Sequence, residues 1–283
     1  MTDLKKKLST EELKDVAETL LYPLISRYVE TQKENGVIKD PKSVEIIDAL
    51  DYDVKNTKLF PISQLGACLR TIIFDEAVFA FLKQNPDGMV INLGCGLDTR
   101  FPRVDNGELL WFDLDLPETI KIRKNFFSEN TRHRFIAKSA LDPTWPDQIP
   151  KDKKLLIIME GLSFYFTEEE NRKVISIIRE NFKDAEFYME AFDPSFITLC
   201  SYLKTKDPLD KKAVNLLKWG IKNGKEMEAW EPGIRHIGEE SVVDKRRDCF
   251  SLFNRIMFRL IPLMRRMTKI VRLKFTEPVK REG

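Results

Sequence analysis

Two glycines follow a short apolar run in the first half of the chain. The run Met89-Val90-Ile91-Asn92-Leu93 leads into Gly94-Cys95-Gly96-Leu97-Asp98, which predicts a buried strand followed by a tight turn. Glycines allow the backbone of such a turn to approach a ligand without a Cβ in the way. The next strand, Trp111-Phe112-Asp113-Leu114-Asp115, ends in carboxylates that can accept hydrogen bonds from two ribose hydroxyls. The pattern therefore predicts a nucleoside-cofactor site.

The same turn separates two classes of cofactor. A dinucleotide-binding turn uses a third glycine so that the following helix packs closely and its first turn meets the pyrophosphate. Thr99 occupies that position here. S-adenosylmethionine has a ribose but no phosphate, so the turn favours it. A nicotinamide-dependent oxidoreductase is the less favoured alternative, and a turn without any ligand is the purely structural one.

The charge of the chain is nearly balanced, with 47 basic and 45 acidic residues, so we do not expect nucleic acid as a partner. The basic residues are nevertheless concentrated towards the C-terminus. That stretch has no acidic residue and includes Arg255, Arg259, Arg265, Arg266, Lys269, Arg272 and Lys274. We expect these side chains to lie along a packed helix with their charged groups in water, and Pro262 to interrupt it, so membrane contact is not expected.

Cysteine and histidine usage argues against a metal site. The four cysteines form no CxxC pair, and the chain has two histidines, so no zinc-binding pattern can be assembled. The first residues, Met1-Thr2-Asp3-Leu4-Lys5-Lys6-Lys7, are followed by a charged helical pattern and not by the apolar core of a signal peptide. Since no apolar stretch is long enough to span a membrane, we expect a cytoplasmic location.

Hydrophobic periodicity predicts helices followed by alternating strands and helices. A capping box at Ser9-Thr10-Glu11-Glu12 precedes a helix that Pro23 should kink, and Asp40 should cap a helix over 41–50. A third helix is predicted over 69–80. Strands are then predicted at 89–93, 109–112, 134–137, 155–159, 186–191 and 270–275, with helices at 118–127 and 168–182. This alternation predicts an α/β protein with a parallel sheet and helices on both faces.

The segments suggest one domain over residues 1–283. We predict an N-terminal helical segment over 1–65 and a cofactor-binding core over 66–192. An insertion over 193–237 is expected to cover the substrate site, and a C-terminal helix and strand to occupy 238–283.

Candidate site residues lie where predicted strands end, because ligands of open α/β sheets bind at the carboxyl ends of the strands. Glu160 follows five apolar residues, and a carboxylate there needs a partner to offset desolvation. Arg100 and Tyr165 could anchor substrate or could form a structural salt bridge and a core hydrogen bond. His236 could touch substrate from the insertion, whereas His133 is expected at the surface. We assign no catalytic base.

Three stretches, 90–101, 111–117 and 158–165, resemble the leucine carboxyl methyltransferase family, and in particular its bacterial branch of polyketide O-methyltransferases. Similarity extends to 18–24, 40–41, 69–71 and 270–272, so it covers nearly the whole chain. The resemblance implies a Rossmann-like class I S-adenosylmethionine-dependent methyltransferase fold with a mostly parallel seven-stranded sheet.

The resemblance also implies contacts for the cofactor S-adenosyl-L-methionine. Arg70 would bind the methionine carboxylate, and Gly94, with Cys95 and Gly96 in the same turn, would contact the methionyl moiety. The remaining implied contacts are Asp115 at the ribose, Ser139 and Ala140 beside the adenine, and Glu160 near the methionine. Spacing alone leaves Asp113 as an alternative to Asp115. Two departures stand out: Ser139 replaces an acidic residue of the family, and no basic residue near Thr19 matches the members that methylate proteins.

The expected function is therefore methyl transfer to a carboxylate or hydroxyl oxygen of a small molecule such as a polyketide-like acid. A carboxylate is ionised at neutral pH and needs no general base, whereas a phenol or an alcohol would need one. A non-catalytic methyltransferase-like binding protein is the alternative from a different class. The sequence leaves the acceptor and the oligomeric state open.

Overall fold

A seven-stranded sheet forms the centre of the computed structural model, which describes residues 20–54, 61–202 and 216–276. The strand order is β3-β2-β1-β4-β5-β7-β6. Strands β1 to β5 pair in parallel, and β7 runs antiparallel to both β5 and β6. In chain order the strands are β1 (Met89–Leu93), β2 (Leu110–Asp115), β3 (His133–Ala137), β4 (Leu155–Met159), β5 (Glu186–Phe192), β6 (Ile234–Ser241) and β7 (Thr268–Phe275). The mostly parallel sheet expected from the sequence is confirmed.

Helices precede the sheet, connect its strands and follow β6. They are α1 (Leu21–Gln32), α2 (Pro41–Ala49), α3 (Pro61–Gln84), α4 (Phe101–Val104), α5 (Pro117–Arg123), α6 (Glu168–Asn181), α7 (Pro194–Tyr202), α8 (Val242–Lys245), α9 (Leu252–Leu260) and α10 (Pro262–Arg266). Short 3₁₀ helices lie at Trp145–Gln148, Ser163–Tyr165, Gly224–Ala229 and Arg247–Cys249. The predicted third helix, 69–80, is the middle of the longer α3.

Central strands β1 and β4 are buried at every position because helices cover both faces of the sheet. Alternate side chains of each strand enter different cores. Ile91 and Ile157 belong to a cluster with Val174 of α6, whereas Val90 belongs to a cluster with Val78 of α3. This two-sided burial explains why both strands appear in the sequence as unbroken apolar runs.

Asp40 joins the N-terminal helices to the glycine turn. Its carboxylate caps α2 by accepting a hydrogen bond from the Ser43 amide at 3.1 Å, and Pro41 is the first residue of that helix, as predicted. The same carboxylate accepts bonds from Arg27 Nε at 2.8 Å and from Thr99 Oγ1. The capping box predicted at 9–12 lies outside the described residues, and Pro23 lies in the first turn of α1, where proline is tolerated.

The predicted insertion over 193–237 was wrong at its C-terminal boundary, because β6 begins at Ile234. This strand is an edge strand that pairs with β7 alone, and its register shifts between His236 and Gly238. An edge strand with one solvated face and a bulge has no continuous apolar pattern. The sequence therefore offered little to distinguish β6 from a loop.

The basic C-terminal stretch also differs from expectation. Its helix does end before Pro262, and Phe258 is buried at 2% exposure. However, Leu252, Phe253 and Leu260 are 70–73% exposed, so much of the apolar face of α9 points into solvent. Within the described residues, no helix combines the length and the apolar character that crossing a membrane requires.

The start of α6 provides a test of local stability. Thr167 accepts a hydrogen bond from the Glu170 amide, and the Glu170 carboxylate accepts one from the Thr167 amide, so the two residues form a capping box. We expect Thr167→Ala to lower the free energy of unfolding by about 1 kcal/mol in urea denaturation. Ser176→Ala, further along the same helix, is the control and should stay within about 0.5 kcal/mol of wild type. Equal stability of both variants would contradict this assignment.

Candidate active site

The strand order reverses between β1 and β4, so the segments that follow these two strands diverge and leave a crevice. A cavity of about 720 Å³ lies there, a volume suited to a small-molecule ligand. Its lining includes the glycine turn after β1, Asp115 at the end of β2 and Glu160 after β4. The expected convergence of strand ends thus occurs at these three places.

Both glycines of the turn adopt backbone conformations that other residues rarely adopt. Gly94 has a φ of +68° and Gly96 a φ of +48°. A Cβ at Gly94 would also stand 2.7 Å from Leu162 Cδ2. The turn is held against β2, because the Gly94 amide donates to the Leu114 carbonyl at 2.8 Å and the Gly96 amide donates to Asp115 Oδ2 at 2.7 Å.

Asp113 and Asp115 lie on the same strand but at different depths. Asp115 is half-buried at the strand end and lines the cavity, where burial raises the pKa of its carboxyl despite the hydrogen bond from the Gly96 amide. Asp113 is one strand repeat deeper and fully buried, and it does not line the cavity. The structure thus corrects the assignment of Asp113 to the cofactor contacts.

Asp113 instead supports the glycine turn from behind. Its carboxylate pairs with Arg123 Nη2 at 2.5 Å, and Arg123 Nη1 donates to the carbonyls of Gly96 at 3.1 Å and Asp98 at 2.8 Å. Burial alone would raise the pKa of Asp113, but Arg123 and His133 outweigh it and lower the pKa. His133 Nε2 lies 2.6 Å from Asp113, and the ring is 3% exposed, so the prediction of a surface histidine was wrong. The buried carboxylate requires such partners.

Arg70, on α3, is held between two carboxylates at the cavity. Its Nε donates to Glu160 Oε1 at 2.8 Å, and its Nη1 donates to Glu190 Oε1 at 3.0 Å. Glu160 therefore has the partner that its position after an apolar strand requires. Burial would raise the pKa of Glu160, but Arg100 and Arg70 outweigh it and lower the pKa.

Arg100 is fully buried and does not line the cavity, which corrects its prediction as a substrate anchor. Its guanidinium bonds three carboxylates, which belong to Asp75 at 2.6 Å, Asp98 at 2.5 Å and Glu160 at 2.5 Å. The structural salt bridge, which the sequence left as the alternative, is the observed arrangement. Burial would raise the pKa of Asp98, but Arg100 and Arg103 outweigh it and lower the pKa to about 2.

Of the four other predicted site residues, one lines the cavity and three do not. Tyr165 lines the cavity. His236 does not, because it lies on edge strand β6 with its Nε2 3.9 Å from Glu239. Ser139 and Ala140 follow β3 but are also absent from the cavity lining: the Ser139 hydroxyl accepts a bond from the Leu141 amide, and the Ala140 carbonyl accepts one from Trp145.

A second group of cavity residues is apolar. The rings of Phe164 and Phe192 stack with centroids 4.2 Å apart, and Phe250 packs edge-on against Phe258 at 4.9 Å. These side chains come from the segment after β4, the end of β5 and the region from α8 to α10. Apolar members of the lining include Leu162, Phe164, Phe192, Phe196, Val242, Phe250, Phe258, Met264 and Met267.

Sequence reasoning missed Glu190, which lines the cavity with 1% exposure. Its signal was available, because Glu190 interrupts the apolar strand Phe187-Tyr188-Met189-Glu190-Ala191-Phe192. An acidic residue in a buried strand needs a partner, as had been argued for Glu160.

Comparison with known families identifies the family of this chain. The model of the family described as leucine carboxyl methyltransferase matches residues 21–179, which is more than half of the chain. The chain belongs to the leucine carboxyl methyltransferase family. This confirms the resemblance inferred from the sequence.

Curated relatives of this methyltransferase point the same way. The chain is 27% identical over 236 residues to the tetracenomycin polyketide synthesis O-methyltransferase TcmP of Streptomyces glaucescens, covering 83% of this chain and 86% of that protein. It is 28% identical over 241 residues to the S-adenosyl-L-methionine-dependent methyltransferase dpfgK of Gibberella zeae, covering 77% of this chain and 80% of that protein. The chain is thus an S-adenosylmethionine-dependent methyltransferase.

Solved structures agree on the fold. A DUF574 family protein from Streptomyces avermitilis superposes with a TM-score of 0.57 at 11% identity, covering 93% of this methyltransferase and 99% of that chain. A SAM-dependent methyltransferase from Anabaena variabilis superposes with a TM-score of 0.52 at 16% identity, covering 73% of this chain and 84% of that chain. These similarities support the Rossmann-like methyltransferase fold.

The low pKa of Asp98 predicts acid sensitivity. Because the folded-state pKa lies below the ordinary value, ionised Asp98 stabilises the fold above about pH 4, and this contribution is lost as the pH falls towards 2. Asp98→Asn removes the titration. We expect the stability advantage of wild type over Asp98→Asn to shrink by about 1 kcal/mol between pH 5 and pH 3 in urea denaturation. Parallel stability curves for the two proteins would refute this role of Asp98.

Proposed function

We propose that this methyltransferase transfers a methyl group from S-adenosylmethionine to an oxygen atom, a carboxylate or hydroxyl oxygen, of an apolar small molecule such as a polyketide-like acid. The observation that supports this most is a single cavity lined both by the glycine turn with its charged neighbours and by stacked aromatic rings. The printed name of the Streptomyces relative, a polyketide O-methyltransferase, supports the same acceptor class.

The charged part of the cavity fits the cofactor. The glycine turn lines the cavity with backbone at positive φ, Asp115 offers a carboxylate for the ribose hydroxyls, and Arg70 offers a cation for the methionine carboxylate. Glu160 fixes Arg70 and lies near the methionine end. When bound, S-adenosylmethionine supplies a methyl group activated by its sulfonium. The positions of Ser139 and Ala140 beside adenine stay predictions.

The apolar part of the cavity suits the acceptor. Phe164, Phe192 and Phe258 would contact its apolar body and exclude water from the reacting oxygen. Methyl transfer requires the acceptor oxygen in line with the methyl carbon and the leaving sulfur, and positioning of this kind can lower a barrier by roughly 7–11 kcal/mol. Tyr165, at the same cavity, is the polar residue that we propose for orienting the acceptor.

A carboxylate acceptor agrees best with the charged groups nearby. Neither histidine lines the cavity, because His133 is buried against Asp113 and His236 lies on the sheet edge. The carboxylates of Glu160 and Glu190 are engaged by arginine. An acceptor that arrives already ionised needs no general base.

The nicotinamide alternative has less support. Thr99, at the position of the third glycine, is buried and donates to Asp40. The helix that follows, α4, has only four residues and so offers little for a pyrophosphate. A binding protein without activity is separated from an enzyme by the transfer assay below.

Cofactor binding can be measured without the acceptor. We expect S-adenosylhomocysteine at one hundred times its dissociation constant to stabilise the protein by about 2.7 kcal/mol, seen as a rise in melting temperature. Asp115→Ala should reduce this rise because it removes the proposed ribose contact. Asp147→Ala, which removes an exposed carboxylate in the 3₁₀ helix Trp145–Gln148, is the matched control and should keep it. NADH should give no rise, and a full S-adenosylhomocysteine effect in Asp115→Ala would contradict the assignment.

The acceptor class can be tested with methyl-labelled S-adenosylmethionine and a panel of aromatic carboxylic acids and phenols. We expect label in the acids as methyl esters, which release volatile methanol in mild alkali, whereas methyl ethers do not. The rate should vary little between pH 6 and pH 9, because the acid is fully ionised across this range. Alkali-stable label found in phenols alone would show that a hydroxyl is the acceptor.

A further inference from the structure

Glu190 is an acidic residue in the interior of the sheet. It lies on β5 with 1% exposure, and its strand neighbours Met189 and Ala191 are buried and apolar. Burying a carboxylate costs free energy unless it is paired and hydrogen-bonded. An apolar residue would fill this strand position without that cost, so the contacts of Glu190 indicate what it does.

Both carboxylate oxygens of Glu190 are engaged at the cavity. Oε1 accepts a hydrogen bond from Arg70 Nη1 at 3.0 Å, and Oε2 accepts one from the Gly161 amide at 2.9 Å. Gly161 has a φ of +72° and directly follows Glu160. Glu190 therefore joins Arg70 on α3 to the segment after β4 that carries the other carboxylate partner of Arg70.

The two carboxylates hold different nitrogens of the Arg70 guanidinium. Glu160 engages Nε at 2.8 Å and Glu190 engages Nη1, so the plane of the group is fixed by bonds to two separate strand ends. Among the described residues, Nη2 makes no hydrogen bond or ion pair. It lies 3.9 Å from where a Cβ on Gly161 would stand, so the glycine keeps the space beside it open.

We propose that Glu190 is a positioning residue for cofactor binding: it orients Arg70 so that Nη2 is directed to the methionine carboxylate of S-adenosylmethionine. This inference rests on the proposed contact between Arg70 and that carboxylate. Without Glu190, the Arg70 guanidinium keeps its bond to Glu160 and can rotate about it. The ligand must then order this side chain when it binds, which lowers the binding affinity.

Binding of two ligands, one with and one without the amino-acid chain, distinguishes a positioning role of Glu190 from a purely structural one. S-adenosylhomocysteine has the amino-acid chain, whereas 5′-methylthioadenosine retains the adenosine and lacks that chain. We expect Glu190→Gln to weaken S-adenosylhomocysteine binding about tenfold in calorimetric titration while 5′-methylthioadenosine binding changes less than twofold. The double variant Arg70→Gln/Glu190→Gln should bind S-adenosylhomocysteine as tightly as Arg70→Gln alone, because the two residues act through one contact.

The remaining outcomes are also decisive. If Glu190→Gln prefers S-adenosylhomocysteine over 5′-methylthioadenosine by the same factor as wild type, this inference is overturned and the proposed function stays intact. If Glu190→Gln binds neither ligand, Glu190→Asp, which keeps the charge, must bind 5′-methylthioadenosine normally and S-adenosylhomocysteine less tightly. Equal loss of both ligands in both variants shows a merely structural residue. Failure of wild type to bind S-adenosylhomocysteine overturns the proposed function itself.

Discussion

The ion pairs of the buried Arg100 guanidinium are the interaction on which the charged side of the cavity depends. It bonds carboxylates from α3, from the glycine turn and from the segment after β4, which are otherwise separate pieces of chain. A buried cation is tolerated only while its partners stay in place, so the three segments can move little relative to one another. The carboxylate shared with Arg70 extends the same constraint to the residue that we assign to the methionine carboxylate.

Around this network the cavity combines two chemistries. Charged and backbone groups come from α3, from β5 and from the ends of β1, β2 and β4, whereas aromatic side chains come from the segment after β4, the end of β5, α7 and the region from α8 to α10. The ends of β1 and β4 lie where the strand order reverses, which is where open α/β sheets bind their ligands. Because we assign the charged groups to the cofactor and the aromatic ones to the acceptor, we expect changes among the aromatic side chains to alter the acceptor and leave cofactor binding in place.

Much of the fold could be predicted because unbroken apolar runs and glycines mark the central strands and their turns. The sequence also indicated residues that meet at the cavity, namely Arg70, Gly94 and Glu160. Side-chain depth could not be predicted: Asp113 and Asp115 differ by one strand repeat, and the buried ring of His133 contacts the Asp113 carboxylate on the adjacent strand. Pairing between distant residues, such as Arg100 with Asp75, follows from tertiary packing and leaves no local pattern.

The link through Asp40 has a consequence for how the turn binds its ligand. Asp40 accepts hydrogen bonds from Arg27 and Thr99, and Arg27 Nη2 donates to the Leu97 carbonyl at 3.4 Å. Helices α1 and α2 therefore contact the glycine turn although they lie outside the sheet. Asp40 itself does not line the cavity, so a substitution there can alter how the turn binds its ligand without removing a side chain from the cavity. Ligand affinity can thus depend on a carboxylate that lies behind the turn, at the start of α2, as well as on the residues of the cavity.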